Sequence, residues 1–176
     1  MRQTSRSINT ATNVTVVLIA TSPPHMLCSG PEALAAVRGT LTSYRADPAR
    51  IELLRTALKC YEGTQMYHNF TTGKHPTDAN ARRYVISFTC GEPFVDPASD
   101  AEWVLLSVVG QSFLLNQIRK MVGLASEVAT GHAPISMMKD ALSKQKVSPQ
   151  NTFKSLTYSQ IIVLLRNRLL LLVSSC

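Results

Sequence analysis

Arg119 and Lys120 stand in the middle of GQSFLLNQIRKMVG, residues 110–123, and carry the most chemistry of any stretch in the chain. A guanidinium remains charged at any working pH and can grip a carboxylate or phosphate through a two-pronged fork, while a neighbouring ammonium adds a compact point charge. Phe113, Gln117 and Lys120 recur on one side at helical spacing, and Leu115, Ile118 and Val122 on another. The block therefore predicts a helix with one face that must be buried, opened by Gly110 and Ser112 as capping residues. A second cationic group, Lys74, His75, Arg82 and Arg83, lies on a loop leading into a strand. As one basic patch it suits phosphate contacts that position a nucleic acid without reading its sequence. A plain solvated charge is the competing reading for both groups.

The elements that must position these residues follow a mixed order. NVTVVLIA at Asn13–Ala20 is a β-branched run that ends at Ser22-Pro23-Pro24, so a strand stopped by a proline turn is expected. Pro31 to Tyr44 is a candidate helix. Asp47-Pro48 supplies an N-cap and a first-turn proline, and Ile51, Leu54 and Leu58 then recur at helical spacing, which predicts a helix over 48–60 ended before Gly63. Residues 72–80 are a loop. Tyr84, Ile86, Phe88 and Cys90 alternate with Val85, Ser87 and Thr89, which predicts a strand whose even positions, Tyr84 included, are buried. Trp103 to Val109 is a second strand, far enough along to pair antiparallel with the first. The helix of the basic block follows and ends near Gly131. This order predicts an α+β fold, an antiparallel sheet with helices packed on one face.

A chain of 176 residues can bury a core, and its 45% hydrophobic content is ordinary for a globular domain. The formal charge of +7 favours a polyanionic partner, nucleic acid or an acidic membrane surface. Cys28, Cys60, Cys90 and Cys176 have no CxxC spacing and no histidine at finger distance, so they read as reduced, mostly buried thiols. The apolar run from Ile161 to Val173 is broken by Arg166, Asn167 and Arg168, short of the roughly 20 residues that a membrane span needs. No membrane partner is expected. Before Glu32 there is no acidic residue, and Arg2, Arg6 and many Ser and Thr give the composition of an organellar presequence or of an untidy domain end.

Five segments in order carry a resemblance. QIRKM at Gln117–Met121, YEGTQMYHNFT at Tyr61–Thr71, Arg83-Tyr84 opening a strand, GEPF at Gly91–Phe94 and GHAP at Gly131–Pro134 together resemble the TruA-type tRNA pseudouridine synthases in their eukaryotic version, over roughly residues 52–135. The resemblance implies half of a catalytic domain whose sheet borders an RNA cleft, and isomerisation of uridine to pseudouridine in tRNA or another structured RNA. It needs no metal or redox cofactor. By match to the motif, Arg119 would position the catalytic aspartate. Leu114 and Leu115 match an apolar position facing the extruded base, though core packing is the ordinary role for a leucine there. His68, Asn69 and Phe70 match the family's HNF and would line the cleft, with Phe70 also a natural core anchor. Lys74, His75, Arg82, Arg83 and Lys120 would meet RNA.

The chain also departs from that pattern. It has no RTDxGV segment, the one that carries the family's catalytic aspartate, and Gln65 stands where the family shows histidine. Asp47, Asp78, Asp96, Asp100 and Asp140 lie in loops or at helix ends, where capping is the ordinary role. The Arg-x-Tyr strand has its counterpart in Asn13–Ala20 without the arginine or tyrosine. The expectation is therefore the C-terminal half of a catalytic domain over 1–144, divergent over 1–47, with a divergent tail over 145–176. As an isolated chain it would be inactive, completed by a missing N-terminal half or acting as a homodimer. A non-catalytic RNA-binding homologue and a protein-association module are the alternatives. A nuclear or mitochondrial compartment is expected, with the cytoplasm open.

Overall fold

The computed structural model describes residues 43–143, together with strands at 13–20, 161–165 and 168–170. Seven strands among these residues form one antiparallel sheet: β1 (Asn13–Ala20), β2 (Gly63–Met66), β3 (Arg82–Cys90), β4 (Phe94–Val95), β5 (Glu102–Gly110), β6 (Ile161–Leu165) and β7 (Arg168–Leu170). Their order is β2-β3-β5-β1-β6-β7, with β4 also paired to β5. Among the described residues it is accompanied by helices α1 (Pro48–Lys59), α2 (Gln117–Thr130) and α3 (Ser136–Leu142). The predicted fold class is the one observed. The candidate helix at 31–44 and the proline turn at 22–24 lie outside the described residues, apart from the last positions of the former.

Helix α1 begins as its sequence predicts. The Asp47 carboxylate accepts from the Ala49 N–H at 2.9 Å, Pro48 occupies the first turn, and Ile51, Leu54, Ala57 and Leu58 form the buried face. Strand β5 is the reference for the sheet's two sides. Val104, Leu106 and Val108 are fully buried beneath the helices, whereas Leu105 on the other side is 41% exposed. Val104, Leu106 and Val108 join Leu54, Leu58, Met121, Leu124, Ala125 and Val128 in a single core. Tyr61, Tyr67, Phe70 and Phe88 complete it, with the Tyr61 and Phe70 rings edge to face at 5.4 Å. Such a ring pair adds about 0.5–1.5 kcal/mol beyond its buried area.

Strand β3 does not alternate as its sequence suggests. Val85 is opposite Gly110 and Ser87 is opposite Val109, so Ile86 is an extra residue, a β-bulge. The bulge shifts the phase of the strand: Val85 before it and Phe88 after it are both buried, although three residues apart. Tyr84 and Ile86, expected in the core, are instead 40% and 41% exposed. Beyond the end of β2, the Phe88 N–H is met by the Glu62 carboxylate at 3.0 Å.

The second correction concerns the helix of the basic block. It starts at Gln117, because residues 111–116 form a connection from β5, and Gly110 and Ser112 cap nothing. Its other end is as expected. Gly131 adopts φ +83°, the Gly131 N–H donates to the Val128 carbonyl at 3.1 Å, and the His132 N–H to that of Glu127 at 2.9 Å. In the tail, β6 pairs with β1 and β7 with β6.

Candidate nucleic-acid interface

The connection from β5 to α2 is pinned at both ends. At Gly110 a Cβ would lie 2.8 Å from Phe113 Cζ and 3.0 Å from the Tyr84 carbonyl oxygen, so only glycine lets the Phe113 ring fold back onto the strand. At the other end Asn116 is left-handed, φ +60°, a conformation that asparagine tolerates better than most residues. Gln117 closes this turn twice: its N–H donates to the Leu114 carbonyl at 3.1 Å, and its side-chain carbonyl accepts from the Leu114 N–H at 2.8 Å. Gln117 itself is fully buried, its Nε2 donating to Met121 Sδ at 3.6 Å. Between these anchors Leu115 stands 72% exposed. The core role expected of Leu115 is thus wrong, because it precedes the helix and sits on the turn; Leu114 is half-buried against the core.

Arg119 follows on the first turn of α2 and is half-buried. Among the described residues its guanidinium has no hydrogen-bond or ion-pair partner. Lys120 is engaged within the chain. Its ammonium donates to the Thr71 carbonyl at 3.1 Å, and partial burial pushes its pKa below that of a free lysine. This bond ties α2 to the segment that contains His68, Asn69 and Phe70. Those three form a short 3-10 turn against α2 and α3, and all are buried. Asn69 Nδ2 donates to the Ala141 carbonyl at 3.0 Å. Within this chain all three are packed in the core, as expected of Phe70.

Two of the four cations of the basic loop, Arg82 and Arg83, face opposite sides of the sheet. Adjacent strand residues point to opposite faces. Arg82, exposed, shares its side of β3 with Tyr84, whereas Arg83, half-buried and opposite Gln65, shares the helix-covered side with Val85. Arg83 donates from one terminal nitrogen to the Arg82 carbonyl at 2.8 Å, and its Nε is buried without a partner. Lys74 is half-buried and His75 exposed, the latter's backbone N–H held by Asp78 at 2.9 Å. The side of the sheet away from the helices thus offers Arg82 together with Tyr84, Ile86 and Leu105. Sequence alternation missed the two apolar β3 members of this group because the bulge reverses it.

A cleft of about 310 Å³ is lined by Cys60, Gln65, Lys139, Leu142 and Ser143. It shares no residue with the Leu115 turn, Arg119 or the basic loop. Cys60 and Cys90 are free and half-buried rather than buried as expected, and burial raises the Cys90 thiol pKa. Among the described residues no cluster of His, Cys, Asp or Glu could hold a metal, and no helix is long and apolar enough to cross a membrane.

The family model for tRNA pseudouridine synthase matches residues 57–160. Among curated proteins, the chain is similar to tRNA pseudouridine synthase 1 of Kluyveromyces lactis, 40% identical over 106 residues. It is also similar to the pseudouridylate synthase 1 homologs of Mus musculus, 41% over 105 residues, and Homo sapiens, 40% over 105 residues. Each alignment covers 60% of this chain but only 19% of the yeast protein and 24% of the two mammalian ones. The chain thus spans about a fifth to a quarter of the length of these relatives. The matched span contains the Tyr67–Thr71 segment, the bulged strand, the Leu115 turn, Arg119 and the Gly131 cap, and on that match the chain belongs to the tRNA pseudouridine synthase family.

Proposed function

We propose that this chain contributes to a tRNA pseudouridine synthase, supplying part of its RNA-binding surface and the arginine that orients the catalytic aspartate. The observation that carries this reading is Arg119: half-buried, at the start of the helix that bears the family's QIRKM block, and without a carboxylate partner among the described residues. Its nitrogens are not sealed from solvent, so the guanidinium is open to a carboxylate, which its two-pronged fork can grip in a bidentate pair. The aspartate would come from a part of the enzyme that these 176 residues do not include, as the absence of an RTDxGV segment suggests. Leu115 would meet the extruded uracil as an apolar contact, and Arg82 and Lys74 would meet phosphates.

In the reaction, the bond between ribose C1′ and uracil N1 breaks and a bond from C1′ to C5 forms. The C5 proton leaves to solvent and N1 acquires a proton, so no oxidant or reductant is consumed. The aspartate does the chemistry at the sugar or base, and Arg119 holds it ionised and in place. Partners beyond RNA are proposed only as the remainder of the enzyme or a second copy of the chain.

The test combines filter retention of transcribed tRNA with tritium release from RNA labelled at uridine C5. The chain alone should retain tRNA in a salt-dependent way and release no tritium. Retention should weaken when Arg82 is replaced by alanine, with the salt slope reduced by about one for each phosphate that the variant no longer neutralises. Tritium release by the chain alone, abolished in Arg119→Ala, would show that a carboxylate within these residues serves instead. Absence of retention would refute the RNA-binding reading.

A further inference from the structure

We infer that Gln117 is a positioning residue for RNA recognition: its buried amide fixes the left-handed turn that presents Leu115 immediately ahead of the helix bearing Arg119. This rests on the functional reading above. Three observations lead to it. Gln117 is fully buried, and a buried amide is tolerated only if its polar atoms are matched. Its side-chain carbonyl is spent on the Leu114 N–H at 2.8 Å, the donor whose capture sets the path of the next two residues. Asn116 accepts φ +60° at that point, and the residue displayed is an apolar side chain 72% exposed.

A helix start needs none of this. An ordinary cap would satisfy the first N–H groups from a serine or aspartate at the N-cap, and Asn116 makes no side-chain cap bond. The amide instead bonds backward to the connection, so its effect falls on Leu115. At the far end, Phe113 packed over Gly110 prevents the connection from swinging as a unit. An apolar tip held in one conformation before RNA arrives loses little freedom on binding, which favours an interaction that one leucine could not otherwise sustain.

The test measures fluorescence anisotropy of transcribed tRNA with the 176-residue chain and its variants, each checked for parental circular dichroism. Gln117→Met keeps the side-chain length and removes the acceptor, and it should weaken binding by about tenfold, as should Leu115→Ala. The double variant should bind no more weakly than either single one, because both remove the same interaction. A merely structural role would make the two losses add. Should Gln117→Met fail to fold, Asn116→Gly, which loosens the turn while allowing its left-handed backbone, should lose affinity only when Leu115 is present. Parental affinity in both Gln117→Met and Asn116→Gly, or losses that add to that of Leu115→Ala, would overturn the inference while leaving the functional reading intact. A parent chain that does not bind tRNA would overturn both.

Discussion

The Tyr61 hydroxyl donates to the Met121 carbonyl at 2.9 Å, joining the segment after α1 to the interior of α2 across sixty residues of sequence. Tyr67 in turn donates to the Tyr61 carbonyl at 2.6 Å, and both phenols are buried. Tyr61→Phe should lower stability by about 1 kcal/mol, since the Met121 carbonyl keeps its bond within the helix, read from the urea midpoint. A variant with the parental midpoint would show that this bond does not join the two segments energetically.

Burial pushes both phenols to pKa values above the ordinary range. Folding therefore favours their protonated form. This stability is present in full below the ordinary tyrosine pKa of about 10 and is lost as pH rises past it toward the folded values. In an absorbance titration, Tyr61 and Tyr67 should ionise only together with loss of the fold. Ionisation of every tyrosine with the fold intact would refute their burial.

Gly110→Ala should destabilise the chain by about 1–3 kcal/mol, since the new methyl must displace the Phe113 ring or the backbone at Tyr84. Combining it with Phe113→Leu should recover part of the loss. Additive losses in the double variant would place the strain on the Tyr84 backbone alone.

Glu62→Leu should cost about 1–3 kcal/mol by leaving the Phe88 N–H without its carboxylate, and Glu62→Gln should recover most of it. Hydrogen exchange at Phe88 is the direct readout. Fast exchange in the leucine variant alone is the expected result, and equal protection in all three proteins would contradict it.

Burial raises the Cys90 thiol pKa more than the nearby Arg55 lowers it. Alkylation of Cys90 should therefore accelerate at higher pH than that of a free cysteine peptide, as followed by peptide mapping. Unfolding should abolish the difference. A parental rate profile matching the peptide would place the thiol in solvent.

The sequence was legible where local chemistry acts alone. Asp47-Pro48 announced α1, Gly131 announced the end of α2, and the strand expected over Trp103–Val109 is β5. What failed depended on long-range pairing. Nothing in RRYVISFTC marks Ile86 as supernumerary, because the bulge is defined only against Val109 and Gly110 on the neighbouring strand. The helical spacing of Phe113, Gln117 and Lys120 ran across a connection that the fold needs between β5 and α2, so Leu115 was assigned to a face it does not join. Four cations close in sequence looked like one patch until strand geometry sent Arg82 and Arg83 to opposite sides. Phe70 is the core anchor its residue type predicts, whereas His68 and Asn69 matched a motif whose place in the core only the packing reveals.

The extra residue in β3 makes the strand sensitive to length as well as to composition. Deleting Ile86 would remove a single codon, yet it would force a choice on everything upstream: either Val85 rotates out to water and Arg83 with it, or the pairing with β2 slides by one position and carries Gly63–Met66 along. Substitutions at this site should be absorbed far more readily than a one-residue indel. Alignments of related chains that open a gap here would be comparing opposite faces of the sheet.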